Sequence, residues 1–375
     1  MATTSQEYIL ERKTGANTSE EIKIPASSVD GLSTVATSGS YNDLKDKPSF
    51  DKYCTMQVVT FTGNGSKTTF EIEHTFGVDV SVQIFLTSQQ FGGGTADELI
   101  IADTYTQNNK VTIVFGSAPT TAQAFKVVIT GTMLNIGSLN DTDWGTINLI
   151  SKTKSASKYF NIGDEKTIKL TDGQNVTLVI LDFDHDDLAD GSGKAGITFG
   201  MKNLLESRSK MNERNVNAGG WNGSYLRMNS LSDILTLLPS DLLASIKQVN
   251  KISTIGSKRA ATITALDNLF LFSLSEIYSQ NALSKSTSGD IKNNSSVYMQ
   301  EGTQYKYYNT LIGDSDPFVA NDNLLKNLSN GVGENSNWWL RSPVYTSDMN
   351  FFTISNRYLS SNASATRGIC FGFCV

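Results

Sequence analysis

The sequence has few of the residues and motifs that mark several common protein classes. Its 375 residues include only 3 cysteines and 2 histidines, which is too few for a disulfide framework or a zinc site. No apolar run approaches the ~20 residues that a membrane helix requires. The N-terminus MATTSQEYILERKTG has no apolar signal core, so we do not expect export by a signal peptide. A formal net charge of -6 without a basic stripe argues against nucleic-acid binding.

Catalytic motifs are also missing. The chain has no phosphate-binding P-loop and no G-x-S-x-G nucleophile turn. Aspartate and glutamate are plentiful, but no pair is singled out for glycoside hydrolysis. Cys370 and Cys374 lie in an apolar run, where burial raises the pKa of a thiol and suppresses its reactivity. We therefore predict a protein that is not an enzyme and that needs no cofactor or metal.

One acidic stretch, 182–191, invites comparison with a calcium loop because it begins D-x-D-x-D. The sixth position is Asp187, where the sharp turn of such a loop needs glycine. The twelfth is Gly193, where a bidentate glutamate belongs. A solvated acidic loop is the favoured interpretation, and calcium at Asp182–Asp190 stays open. His74 falls on the apolar side of its strand and is expected to be a core or rim residue rather than a ligand.

Residues 54–136 have the alternating pattern of β-strands. Val80, Val82 and Ile84 alternate with polar residues, and similar runs recur up to residue 129. Asn64-Gly65 is a strong turn signal between two such runs. Short alternating strands separated by turns predict a small antiparallel β-sandwich.

The part that follows mixes strand and helix patterns. Residues 144–147 and 176–183 are predicted as strands, and 201–211 as a helix. An apolar stripe at helical spacing predicts another helix, which begins after Asn229 or Ser230; its residues are Leu231, Ile234, Leu235 and Leu238. Ser240 is predicted to cap the helix that follows. The closing run 369–375 is short and wholly apolar, as in a buried strand.

Residues 1–53 are too poor in apolar side chains to fold alone. We expect a stalk that attaches the protein and trimerises with other copies; a disordered linker is the alternative. At the other end, 345–366 is dominated by Ser, Asn, Thr and Tyr between apolar flanks. Tyrosine gives large contact area at low entropic cost and Ser and Asn give adaptable hydrogen bonds, a mixture typical of recognition surfaces. A polar β-hairpin region without a partner remains the alternative.

Several motifs resemble known families. The segment WWLRSP at 338–343, followed by a polar stretch and a closing RGICFGFC, resembles the end of C-type-lectin-like domains in bacterial and phage proteins, including phage tropism determinants. FTGNGSKTTFEIEHTFG at 61–77 is similar to a β-sandwich module of phage tail proteins, and VATSGSYNDLKDKP at 35–48 is similar to a tail-fibre connector. Formylglycine-generating enzymes share the lectin-like fold and use a cysteine pair near the chain end.

The resemblance implies a multidomain protein with an N-terminal stalk (1–53), an all-β sandwich spacer (54–136) and a C-terminal α+β C-type-lectin-like domain (137–375). It also implies a variable region at about 337–370, diversified by a retroelement that mutates adenines. Its invariant frame would contain Trp338, Trp339, Arg341 and Arg367, with one tryptophan in the core, the other beside the binding face, and the arginines paired with carboxylates. The implied ligand contacts are Tyr345, Thr346, Ser347, Asp348, Asn350, Phe352, Asn356, Arg357, Tyr358, Ser360, Asn362 and Ser364.

The function implied is that of a phage tail receptor-binding protein that adheres to a protein or glycan on the host bacterium. Such a protein is part of the virion, is joined to other tail components through its N-terminus, and is a homotrimer that neither inserts into membranes nor binds nucleic acid. The alternative is a lectin-like adhesin of fixed specificity on the bacterial cell surface. An adhesin should have an export signal, and the sequence shows none.

Overall fold

The computed structural model describes residues 7–15, 18–25, 55–91, 94–107, 109–133, 136–331, 337–356 and 359–375. The chain divides into two compact units, Met1–Thr55 and Met56–Val375. In the first, β1 (Glu7–Gly15) and β2 (Thr18–Pro25) pair as an antiparallel ribbon. The predicted connector at 35–48 and Cys54 lie outside the described residues, so the stalk and the trimer stay predictions.

The second unit begins with seven strands in two sheets, ordered β3-β9-β5-β6 and β4-β8-β7. The strands are β3 (Thr55–Thr62), β4 (Thr69–Glu73), β5 (Phe76–Phe91), β6 (Gly94–Ile100), β7 (Asp103–Gln107), β8 (Lys110–Val114) and β9 (Ala124–Met133). Ile72, Val111 and Ile113 from one sheet and Val127 and Ile129 from the other share a single apolar core. The alternating residues thus form a β-sandwich, because each strand turns its apolar side chains toward the facing sheet.

The predicted Asn64-Gly65 turn is present, and it joins strands that belong to different sheets. Gly65 has φ +75°, a conformation that glycine adopts without strain. The Asn64 side chain accepts hydrogen bonds from the backbone N–H groups of Ser66 and Lys67, at 3.0 and 2.7 Å. The turn therefore carries the chain from β3 across the sandwich to β4 rather than closing a hairpin.

The C-terminal part of this unit, residues 136–375, is called the head below. Its sheets are ordered β10-β11-β12-β21-β16, β13-β20-β17-β18-β19 and β14-β15. The strands are β10 (Glu165–Lys169), β11 (Asn175–Phe183), β12 (Ile197–Met201), β13 (Arg208–Lys210), β14 (Val249–Thr254), β15 (Thr262–Asp267), β16 (Phe270–Leu271), β17 (Trp338–Pro343), β18 (Asn350–Ile354), β19 (Ser360–Asn362), β20 (Thr366–Gly368) and β21 (Phe371–Cys374). Strand β21 is buried at every position between β12 and β16, so the prediction of a buried closing strand is confirmed.

Short helices surround these sheets. They are α1 (Trp144–Lys152), α2 (Ala156–Tyr159), α3 (Leu231–Leu237), α4 (Ser240–Ser245), α5 (Leu274–Ile277), α6 (Gln280–Lys285), α7 (Gly289–Asn293), α8 (Ser295–Tyr298) and α9 (Lys306–Ile312). None of the helices in the described ranges is long and apolar enough to cross a membrane. The described chain is therefore multi-sheet and mostly β, with some helices and with separate sandwich and head cores.

Three local predictions in the head were wrong. Residues 144–147 form a helix rather than a strand, because the Asp143 side chain caps the backbone N–H of Thr146. Residues 201–211 are not helical, because Leu204 and Leu205 donate their backbone N–H groups to distant segments, Asn327 O at 2.8 Å and Ile369 O at 3.1 Å. The predicted caps also fail. A π-helical turn, Leu226–Ser230, runs directly into α3, so Ser230 is already helical, and Ser240 is the first residue of α4, whose capping position is Pro239.

Candidate ligand-binding surface

A network of buried ions lies beneath the last strands of the head. The Lys251 ammonium, on β14, donates to Asp186, to Glu276 Oε1 at 2.9 Å and to the Tyr305 hydroxyl at 2.8 Å. It also sits 3.6 Å from the centre of the Phe270 ring. All of these charges are excluded from water, and a buried charge is tolerated only where it is paired and hydrogen-bonded.

Arg341 extends the network to β17. Its guanidinium contacts both oxygens of Glu276, one of them at 2.9 Å, and donates to Leu271 O at 2.8 Å and Ile252 O at 3.1 Å. The side chain is 0% exposed, which bears out the expectation that Arg341 is buried and paired with a carboxylate. Because its partners come from β14, β16 and α5, this one residue fixes β17 against three other elements.

The pKa values of the buried carboxyls follow their partners. Burial alone raises the pKa of Glu276, but Arg341 and Lys251 outweigh it, so the net pKa is lowered. Burial likewise opposes ionisation of Asp186, and Lys251 and His185 again lower its pKa below the usual range. For Glu301 burial prevails over the hydrogen bond from Ser342 and the positive charge of Arg341, and the pKa is raised. The network thus holds two carboxylates charged against two cations in a dry interior.

Strand β17 is followed by the polar segment 345–366, whose composition is typical of recognition surfaces. Buried Asn217 holds the first part of this segment through hydrogen bonds. The Asn217 amide donates to Ser347 O at 2.8 Å and Asn350 O at 3.0 Å, while its backbone N–H donates to Asp348 O at 2.8 Å. Its side-chain oxygen accepts from the backbone N–H of Ser257 at 2.8 Å. Asn217 is fully buried, so the loops at 212–217, 256–259 and 345–350 are joined through one side chain.

Sequence reasoning missed Asn217. Its only local signal is the Asn-Ala-Gly-Gly stretch at 217–220, which indicates a loop but gives no function. Gly256 shows how tightly the loops meet. It has φ +70°, and a Cβ atom there would lie 2.0 Å from the Asn217 carbonyl oxygen. Only glycine fits at this crossing.

Further contacts also link these loops. The Asn215 amide lies 3.4 Å from the Met349 sulfur, and Lys258 forms an ion pair with Asp348 at 2.9 Å. Ala363 receives a hydrogen bond from the Asn212 backbone at 2.9 Å. We call the outer side of the loops 212–217, 256–259 and 345–350 the three-loop surface. It mixes polar and charged side chains with two exposed apolar ones, Val216 and Met349, which are 45% and 47% exposed.

The structure distributes the predicted contact residues unevenly. Phe352 is 3% exposed and packs edge-on against Tyr298, with ring centres 5.2 Å apart, so its side chain belongs to the core and leaves the set of surface contacts. Arg357 and Tyr358 lie outside the described residues. The exposed candidates are Thr346, Asp348, Asn356 and Asn362; the half-buried ones are Tyr345, Ser347, Asn350, Ser360 and Ser364. Of these, Tyr345 to Asn350 lie on the three-loop surface.

The predicted frame residues are inside the head, with one correction. Trp338 and Trp339 are both 0% exposed, so the expectation that one of them borders the binding face was wrong. Their indole N–H groups donate to Leu324 O at 3.1 Å and Ser209 O at 2.9 Å, because β17 has core on both of its sides. Arg367 is half-buried and bonds the Ser361 hydroxyl at 2.9 Å, where a carboxylate was expected.

The acidic stretch at 182–190 is only partly solvated, which corrects the favoured interpretation. Asp182 is buried and accepts from the Lys306 ammonium at 2.9 Å, and Asp186 belongs to the ion network. Asp184 and Asp187 are paired with Lys154 and Lys194 at 3.0 and 2.8 Å. Within the described ranges, no three His, Cys, Asp or Glu side chains cluster as a metal site would require.

The remaining residues singled out from the sequence are buried. His74 is 0% exposed, and its Nδ1 accepts from the Phe76 backbone at 3.2 Å, as a core histidine would. Burial lowers its pKa, which favours the neutral ring. Cys370 and Cys374 are free and buried, and burial raises the pKa of both thiols.

Comparison with known proteins adds one similarity. Residues 195–374 match the profile of a protein family described as a domain of unknown function (DUF6273). No curated protein matches the chain. The matched region contains Asn217, all three loops of the three-loop surface, and the Lys251, Glu276 and Arg341 members of the ion network.

Proposed function

We propose that this protein adheres to a host-surface ligand through the three-loop surface, as the receptor-binding protein of a phage tail. The observation that carries the proposal is the fastening of an exposed polar loop to two other loops by buried Asn217. A loop that is already ordered loses little conformational entropy when it binds, so more of the contact energy appears as affinity. The ion network around Arg341 holds the strand that delivers this loop.

The finer fold is also part of the proposal. We infer that the head is a C-type-lectin-like domain, with the variable region at about 337–370. Support comes from the order of its motifs and from the position of WWLRSP on buried β17, next to β18 and β20. In that fold the last strands form the frame, and the segments between them carry the ligand contacts.

Attachment and assembly complete the proposal. Residues 1–53 would join the chain to the phage tail and to two further copies. Three heads on one fibre would raise a weak single-site affinity through avidity. A lectin-like adhesin on a bacterial surface is the alternative, and it would use the same surface with fixed specificity.

An enzyme with a Cys370–Cys374 pair has less support, because both thiols are fully buried and burial raises their pKa values. A thiol must be accessible and ionised to react. Replacing either cysteine by alanine is therefore expected to lower stability without abolishing a reaction.

The direct test measures attachment of the labelled, purified chain to a panel of bacterial strains. The test variant replaces two contact candidates on the three-loop surface by alanine, Tyr345 and Thr346. The control replaces the same two residue types at exposed positions elsewhere, Tyr105 and Thr104. We expect attachment to at least one strain, a loss of roughly tenfold or more for the test variant, and no loss for the control. Equal attachment by both variants would rule out the three-loop surface.

Sequencing the 3′ end of the gene across its natural population separates the two candidates. A diversified phage protein should concentrate substitutions at adenine positions in codons 345–364 and spare Trp338, Trp339 and 368–375. A uniform sequence would favour the adhesin with fixed specificity.

A further inference from the structure

The loops around the three-loop surface carry more positive than negative charge. Residues 208–217 contribute Arg208, Lys210 and Arg214 against Glu213, and 256–259 contribute Lys258 and Arg259 with no acid. Asp348 is the acid of the third loop. Five cations thus share this region with two carboxylates, although the whole chain has a net charge of -6. The excess of positive charge is therefore confined to these segments of the chain.

The fold joins the chain segments that carry these cations. Arg214 lies three residues before Asn217, and Lys258 and Arg259 follow Ser257, whose backbone N–H donates to the Asn217 side chain at 2.8 Å. Strand β13, which carries Arg208 and Lys210, runs into the first loop, where the Asn212 backbone bonds Ala363 at 2.9 Å. All five cations are exposed.

An exposed ion pair joins two of the three loops. Lys258 is paired with Asp348 at 2.9 Å, and both side chains are more than half exposed. An exposed pair contributes little to stability, about 0–1 kcal/mol, so a competing anion can replace Asp348 at low cost. The loop geometry does not depend on this pair, because Asn217 holds the same loops through buried bonds.

We propose that the ligand of the three-loop surface is a polyanion, namely a surface polysaccharide that bears phosphate or carboxylate groups. This inference rests on the proposed function and specifies the chemistry of its ligand. Repeated negative charges along a polymer would meet several cations spread over two loops and β13, while the polar side chains of 345–350 contact the sugar hydroxyls. Complementary charge raises the association rate and makes binding weaken with added salt.

The test uses biolayer interferometry with the full chain and three polymers: a poly(glycerol phosphate) teichoic acid, alginate and neutral dextran. The test variant carries Arg214→Ser, Lys258→Ser and Arg259→Ser. The control removes three exposed charges elsewhere, by Lys67→Ser, Lys169→Ser and Lys292→Ser. Both variants change the net charge equally, so a difference between their affinities for a polymer shows that the position of the cations matters. The phosphate and carboxylate polymers identify which anion is recognised.

We expect the parent chain to bind at least one polyanion and not dextran, with affinity falling as NaCl rises from about 50 to 300 mM, because salt screens exposed charges. Three lost contacts of about 0.5 kcal/mol each correspond to a loss of roughly tenfold for the test variant. Equal losses in test and control variants would overturn the inference. Attachment to cells that neither salt nor polyanion competitors reduce would overturn it as well, with the proposed function intact. Polyanion binding through the three residues without attachment to any strain would support the ligand chemistry and reject host adhesion.

Discussion

The sandwich and the head are stabilised in different ways. Among the described residues, the sandwich core consists of eight buried apolar residues from its two sheets, and no Asp, Glu, Lys or Arg side chain there is buried. The head has a larger apolar core that also encloses Asp186, Lys251, Glu276 and Arg341. The same physical forces act in both, but within the described residues only the head buries Asp, Glu, Lys or Arg side chains, and their desolvation costs free energy. The hydrogen bonds and ion pairs of these side chains have defined directions and fix individual strands.

This difference matters for recognition. Apolar packing is non-directional and tolerates repacking, whereas a buried bidentate ion pair fixes the positions of both partners. The loop 345–350 of the three-loop surface follows directly after β17, which Arg341 holds. Under the proposed function the sandwich is a spacer and needs only to be stable, whereas the binding surface also needs its loops in one arrangement. All four tryptophans lie in the head, so their fluorescence reports on the head alone.

The largest effect is expected for Arg341→Ala. It leaves Glu276 charged and buried without its main partner, which costs about 3–5 kcal/mol of unfolding free energy. Urea denaturation followed by tryptophan fluorescence measures the loss. Arg367→Ala is the control, because that half-buried arginine bonds neutral oxygens, and about 1 kcal/mol is expected. Equal losses for the two arginines would show that the ion network does not distinguish the head.

Ile113→Ala should destabilise the sandwich by about 3 kcal/mol, since Ile113 is 0% exposed in the shared core. Hydrogen exchange of the β8 amides should rise, while the tryptophan transition stays where it was. If the tryptophan transition shifts by a similar amount, the two cores unfold together and the comparison fails.

Asn217→Ala should lower the stability of the head by about 2 kcal/mol, because several buried backbone groups lose a hydrogen-bond partner. Hydrogen exchange should increase mainly in 344–350 and 255–258. Asn215→Ala, at a half-buried neighbour, is the matched control and should leave the exchange of both segments unchanged. Protection of 344–350 equal to that of the parent chain would mean that Asn217 does not hold the loop.

The smallest effect concerns pH. The pKa values of Asp186 and Glu276 are lowered in the folded state from ordinary values of 3.8 and 4.5, so the unfolded chain binds more protons in acid. Their stabilisation is complete above about pH 5 and is lost as the pH falls below 4. Glu301 acts in the opposite sense, because its pKa is raised and its contribution falls as the pH rises above 4.5.

Asp186→Asn should therefore reduce the slope of the head's unfolding free energy against pH in acid, by up to about 1.4 kcal/mol per pH unit. Urea midpoints between pH 3 and pH 6 measure the slope. Ile113→Ala, which removes no ionisable group, should leave this slope unchanged. A slope for Asp186→Asn equal to that of the parent chain would show that Asp186 does not contribute to the acid sensitivity.

Predictions from the sequence were most accurate where a regular pattern of apolar residues defines a single strand or helix. Alternation in 54–136 predicted the strands of the sandwich, and the apolar run at 369–375 predicted a buried strand. The apolar stripe from Leu231 to Leu238 predicted α3 but not the π-helical turn before it. Arg341 was expected to be buried and paired, although its partner was not identified.

The failures share a cause. Trp338 and Trp339 point to opposite sides of β17, and the sequence does not show that both sides are covered. Leu204, Leu205 and Arg208 have helical spacing, yet the backbone N–H groups of the two leucines bond Asn327 and Ile369. Phe352 lies in a polar segment, and its sequence neighbours suggest a surface aromatic. In the structure Tyr298 packs against it. In each case the outcome depends on a residue far along the chain.

Composition and periodicity were enough to predict the polar segment, the strand pattern of the sandwich and the apolar closing strand, since each depends on neighbours within one element. Long-range contacts determine which polar residues reach the surface, which carboxylates pair with lysines, and that Asn217 joins three loops. These depend on contacts across 25 to 133 residues, such as Lys251 to Glu276 and Asn217 to Asn350. Periodicity reports the burial of a side chain along its own strand or helix, and it carries no information about which distant partner satisfies a buried charge or amide.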